Sequence, residues 1–154
     1  MNKRKSQTRE YERGQSLVEF ALMFVVLSLI LMGILDVGRL YYAFVGLQDA
    51  VGEGAQYATM NLTTAACADN TGSACADPNN VVWRTKHANP AGAINPDLVS
   101  VQVAIGTPDM ISHATPVTVT ATYSHTLLTP MIQTIVGSSV LPLKAQSATF
   151  LGMP

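Results

Sequence analysis

The side chains with catalytic chemistry to offer are few and scattered. His87, His113 and His125 stand far apart, without the spacing of metal ligands. Serine and threonine abound, yet neither G-x-S-x-G nor S-x-x-K occurs. Asp97 and Asp109 fall at expected strand ends, where a carboxylate reads as polar surface rather than as an acid or base. The expectation is therefore a protein that is not an enzyme and needs neither metal nor cofactor. Two features carry chemistry of another kind. Cys67 and Cys75 bracket the turn signal Asn70-Thr71-Gly72, so a disulfide there would close a short loop in an oxidising space. Free thiols and a metal pair are the alternatives, and metal is weakened by the lack of a nearby His. The second feature is Glu19, a lone carboxylate inside an apolar run, five positions after Gly14.

That run is Leu17 to Leu35, LVEFALMFVVLSLILMGIL, 19 residues with Glu19 as its one charge. At ~1.5 Å per residue it reaches ~28 Å, close to the ~30 Å hydrocarbon core of a bilayer. A soluble core helix would need cover on every side, and no other stretch of this chain could supply it. The reading is a single transmembrane span. Composition agrees: 48% of the 154 residues are hydrophobic and 12% are charged, with a mean hydropathy of +0.25. So much apolar surface excludes disorder as the main state. Two cysteines exclude a disulfide-dense scaffold. A net charge of −1 excludes a chain-wide nucleic-acid footprint.

The charge is unevenly placed. Residues 1–14 hold five basic residues against two acidic ones, and residues 15–154 hold four against eight. The basic stretch puts the N-terminus in the cytoplasm and the rest of the chain outside. A secretory signal peptide fits poorly, because the apolar run is long and runs into DVGRLYY without an A-x-A site. A basic leader, a Gly, then an apolar span with an early carboxylate is the pattern that prepilin peptidases cut after the Gly. Cleavage there would make Gln15 the new N-terminus and Glu19 the fifth residue. In staggered parallel helices, Glu19 of one subunit would pair with the Gln15 ammonium of the next. Each charge would offset the other's desolvation, and wrong registers would leave Glu19 unpaired.

Beyond the span, Leu40, Phe44, Leu47, Val51, Ala55 and Ala58 are spaced 4, 3, 4, 4 and 3, a helical stripe. One continuous helix is expected from about Gln15 to Met60. Gly33, Gly38, Gly46, Gly52 and Gly54 work against it at about 1 kcal/mol each relative to Ala. They point to close helix approach in a bundle or to a melted stretch. Asp36 and Arg39, at i and i+3, read as a pair on one face or simply as solvated charges. Asp77-Pro78 reads as an N-cap with Pro at N1, opening a short helix to about Ala88 that Asn89-Pro90-Ala91-Gly92 ends. Alternation predicts strands over Val99–Ile105 and Val117–Tyr123, with Gly106-Thr107-Pro108-Asp109 in the turn region between them. A short helix from Leu127–Ile132 to Val136 and a third strand, about Val140 to Phe150, complete the pattern, Pro142 making the strand's start an edge. Asn61-Leu62-Thr63 matches a glycosylation sequon and is discounted.

These elements give an α+β fold, a long N-terminal helix packed on a small antiparallel sheet. The segments are a basic leader (1–14), a transmembrane helix (15–36), its outer continuation (37–60) and a small outer domain (61–154). Residues 14–58 resemble the N-terminal signature of TadE-like proteins, minor pilins or pseudopilins of the Tad (Flp) branch of type IV pili. The stretches that carry the likeness are Glu19-Phe20-Ala21, Asp36 with Gly38-Arg39, and Glu53-Gly54-Ala55 with Tyr57-Ala58. The tail YSHTLLTPMIQTIVGSSVLPLKAQSAT is similar to the family's last strands. The resemblance implies a type IV pilin-like fold in the inner membrane, then at the pilus or cell surface. It implies prepilin peptidase cleavage at Gly14–Gln15, with Glu19 and Phe20 setting register and Asp36, Gly38, Arg39, Glu53 and Gly54 at helix interfaces. The implied partners are that peptidase, the pilus platform and its ATPase, other pilin subunits and membrane lipid, with roles in adhesion or secretion. The rival reading is an unprocessed, single-pass, membrane-anchored binding module.

Overall fold

The computed structural model describes residues 4–60, 73–88, 92–108 and 114–151, with the side chains of 4–13, 73 and 74 excepted. Cys67, Asp109, His113, Asn70-Thr71-Gly72, the sequon and Asn89-Pro90-Ala91 lie outside the described residues. The chain divides into two compact units, residues 1–38 and 39–154.

The first unit is helical. Helix α1 is assigned over Arg4–Met60 and contributes to both units. It begins about ten residues before the expected start at Gln15, because residues 4–13 are rich in Lys, Arg, Gln and Glu, all good helix formers. Of the two readings of the glycines, the melted stretch is not seen, since residues 36–60 are helical without a break, as the continuous helix requires. The most apolar window of α1 has a mean hydropathy of 2.6 and is wholly exposed. A soluble core helix of such composition would bury that surface; here length and composition suit a single pass through a membrane.

The second unit is an α+β layer. Strands β1 (Val99–Ile105), β2 (Thr115–Thr126) and β3 (Val140–Leu151) form an antiparallel sheet in the order β1-β2-β3. Strand β2 is longer than the alternation predicts. Its extra residues pair with β3, Thr115 with Leu151 and Thr126 with Val140. Pro142 sits on edge strand β3 opposite Ser124, where its missing N–H costs no ladder bond on the open side. Pairing brings Val101 against Ala121 and Val103 against Val119, so odd-numbered residues share one face. That face packs with Ala43, Leu47, Ala50, Val51, Ala55 and Ala58 of α1 in one core. The stripe read from spacing is thus the buried face of the helix. At about 1.5–3 kcal/mol for each large apolar side chain buried, this contact is what holds the layer together.

Helix α2 (Val81–His87) departs from expectation at its start. Asp77-Pro78 does not open it. Asp77 closes a turn instead: its Oδ1 accepts from Asn79 N–H at 2.9 Å, and its carbonyl accepts from Asn80 N–H at 2.9 Å. Pro at the second position of such a turn is favoured. The cap is Asn80, buried, whose Oδ1 accepts from Val82 N–H at 2.8 Å. Helix α3 (Pro130–Val136) starts with Thr129 at the cap position and Pro130 at N1. It ends at Gly137, φ 75°, a left-handed residue that a side chain would strain. Short 3-10 turns at Ser73–Ala76 and Pro96–Leu98 complete the described residues.

Candidate processing and assembly site

Gly14, Gln15, Glu19 and Phe20 all lie on α1 and are all exposed. Gln15 and Glu19 are one helical turn apart on the same face. A side chain built at Gly14 would meet nothing within 4 Å. Glu19 has no hydrogen bond or ion pair among the described residues. Phe20 stacks on Phe24 with centroids 6.1 Å apart. Ser28 satisfies its hydroxyl within the helix by donating to the Phe24 carbonyl at 2.8 Å. Glu19 is thus the one charged side chain of the apolar run Leu17 to Leu35, and it is exposed.

The remaining interface residues separate. Asp36 is 4% exposed, whereas Arg39 is exposed. A side chain at Gly38 would meet nothing within 4 Å. Glu53 is exposed and Gly54 is buried. Gly54 has a role inside the chain that the sequence did not show: it faces Thr85 of α2, and an added Cβ would collide with the Thr85 Oγ1 and stand 3.1 Å from its Cβ. Thr85 is held there because its hydroxyl donates to the Val81 carbonyl at 2.8 Å. Close helix approach is thus the reason for Gly54, and the approaching helix is α2. Gly54→Ala is expected to destabilise the folded unit by about 1–3 kcal/mol through overpacking. Adding Thr85→Ala should recover part of that loss. Denaturant unfolding of the purified full chain in detergent reads both.

Around that crossing, the Tyr57 hydroxyl donates to the Asn79 carbonyl at 2.8 Å, and Arg84 Nε–H donates to the Pro78 carbonyl at 2.9 Å. The guanidinium lies over the Tyr57 ring, 5.1 Å from its centroid. Tyr57 meets Asn79 and Arg84 across 22 and 27 residues, which leaves no local signal, so sequence reasoning had no means of finding those two contacts. Cys75 is disulfide-bonded. His87 is exposed on α2, His125 is buried on β2, and Asp97 is exposed beside β1. The described residues bring no three His, Cys, Asp or Glu together.

An exposed apolar N-terminal helix, whose later part shares a core with a small antiparallel sheet, is the pilin-like α+β class. Residues 14–56 match the model of the family described as TadE-like protein. Over that segment the chain is similar to TadE-like proteins. No curated protein and no solved structure matches the chain.

Proposed function

We propose that the chain is a minor pilin or pseudopilin of a Tad-type pilus, cut by a prepilin peptidase between Gly14 and Gln15. The observation that carries this reading is the bare Glu19 carboxylate on an apolar helix, five residues past an exposed Gly14, inside the TadE-like segment. A simple membrane anchor needs neither residue. Cutting removes the basic leader and creates an ammonium at Gln15. That ammonium and Glu19 of the neighbouring subunit then relieve each other's desolvation cost and set the stagger of parallel helices. Phe20 packs beside the pair.

The leader's basic residues hold the N-terminus on the cytoplasmic side of the inner membrane, and the sheet domain lies outside. The disulfide at Cys75 agrees, because such bonds persist in oxidising compartments. With two cysteines in the chain, Cys67 is its partner in this reading. The pilus platform and its ATPase would draw the processed subunit from the lipid into or beneath the pilus, serving adhesion or secretion. The test is fractionation of cells that carry the Tad machinery. The chain is expected in the sheared-pilus fraction, and only in the membrane fraction when the platform ATPase is deleted. A chain confined to membranes in both strains contradicts the reading.

A further inference from the structure

One end of the sheet in the second unit is apolar, uncharged and uncovered. Leu98 precedes β1, Leu128 follows β2 and Val140 opens β3, and the register sets all three at that end. Met131, Ile135 and Val136 of α3 join them, and all six are exposed, Ile135 by 74%. Among the described residues, the opposite end exposes only Ile105 and Phe150 of this kind. No charged residue occurs from Thr126 to Leu143. Helix α3 buries none of its seven residues, so the core does not steady it. A helix so short is marginal in water by itself.

The polar side chains of this end ask little of water. Gln133 Nε2–H donates to the Leu127 carbonyl at 2.7 Å, and the Thr134 hydroxyl donates to the Pro130 carbonyl at 2.9 Å. The Ser138 hydroxyl donates to the Val140 carbonyl at 2.8 Å. The Gly137 N–H closes the helix on the Gln133 carbonyl at 2.8 Å. A segment entering lipid must satisfy its polar groups internally in this way. Two charges rim the patch. Asp97 is exposed beside Leu98, and Lys144 is exposed two residues past Pro142, where an ammonium can meet lipid phosphate.

A bilayer is within reach by covalent continuity. The apolar run ends at Leu35, and Leu40 is the first α1 residue packed against the core of the second unit. The helix is unbroken between them, a rise of ~7.5 Å over five residues. Tyr41 and Tyr42, 67% and 51% exposed, follow at once. Exposed tyrosines just past a span mark the membrane–water interface. We infer that the apolar end of the sheet, led by α3, rests in the headgroup layer of the membrane that α1 spans, with Met131 and Ile135 toward the acyl chains. A protein partner would find few hydrogen-bonding groups there to fix its register, whereas a lipid surface needs none. The inference rests on the membrane span, and on neither cleavage nor pilus entry.

The test is tryptophan quenching in the full-length chain, held in vesicles of phosphatidylcholine brominated near the top of its acyl chains. Trp83 is the one tryptophan, so Trp83→Phe gives a dark background. In that background, Ile135→Trp should lose about half of its emission or more, as a ring seated ~5–10 Å into the interface does. Phe150→Trp is the control, being exposed and ten residues along β3 from Val140, ~33 Å at ~3.3 Å per residue. It should keep its emission. Met131→Asp added to the Ile135→Trp chain should restore most of the emission, because a carboxylate one turn away resists lipid. Positions 131, 135 and 150 are exposed, so the unfolding transition should match that of the parent. Equal quenching at positions 135 and 150, or none at 135, overturns the inference. A blue shift at 135 that grows with protein density, without quenching, assigns the patch to a second copy and also overturns it. Vesicle flotation separates the failures. A chain that floats unquenched at 135 removes this inference and leaves the span and the subunit reading standing, whereas a chain that does not float contradicts the span and the inference together.

Discussion

Glu19→Ala is expected to leave the chain inserted and cleaved but to reduce its share of the sheared-pilus fraction by about tenfold or more, a loss of about 1.4 kcal/mol of assembly free energy or greater. The sign follows from the cost of the carboxylate. An ionisable group just inside an apolar span disfavours insertion by about 2.5–3.5 kcal/mol at the bilayer centre and less near the interface. Removing it eases insertion, so a membrane-fraction blot should show as much chain as the parent or more. Assembly moves the other way, because an apolar residue there tolerates every stagger of neighbouring helices and no longer rewards one. Glu19→Gln should behave like Glu19→Ala, since it keeps the shape and loses the charge. A Glu19→Ala chain that enters pili as well as the parent removes the register pair from the account.

Gly14→Val is expected to cut the cleaved fraction by about a hundredfold, equivalent to about 2.7 kcal/mol. The structure makes this a clean substitution. A side chain at Gly14 meets nothing within 4 Å, so the fold accepts Val and any loss belongs to the protease reaction. Two effects act together. Glycine costs a helix about 1 kcal/mol, which lets the segment open for a protease. A Val Cβ and its two methyl groups would also crowd a protease site that reads bare backbone. Intact mass read after co-expression with the peptidase should show the leader retained on Gly14→Val. Processing of the variant at the parental level would move the cut elsewhere.

How much of the molecule was legible depended on how local each signal was. Leu40, Phe44, Leu47, Val51, Ala55 and Ala58 announced a helix face by spacing alone, and that face lies buried or partly buried in the core. Period-two alternation located β1 and the middle of β2, and Pro142 marked β3 as an edge. The start of α2 was misplaced because Asp77-Pro78 suits a turn as well as a cap, and the choice depends on whether Asn80 can bury its side chain. The ends of β2 were missed because they are held by pairing with β3, whose partner residues lie 14 to 36 positions away. Gly54 was visible as an anomaly, but its cause, Thr85, comes from another helix. At the proposed processing site the reverse holds. Gly14, Gln15 and Glu19 were legible from order and charge, and the structure adds that all three are exposed on one helix.

The most direct test of the central claim is the N-terminal sequence and intact mass of the parent chain, expressed with and without a Tad prepilin peptidase. The account predicts a chain beginning at Gln15 with the peptidase and a chain retaining residues 1–14 without it. Retention of Arg4 to Arg13 under both conditions would contradict it and would make the protein an unprocessed, membrane-anchored binding module.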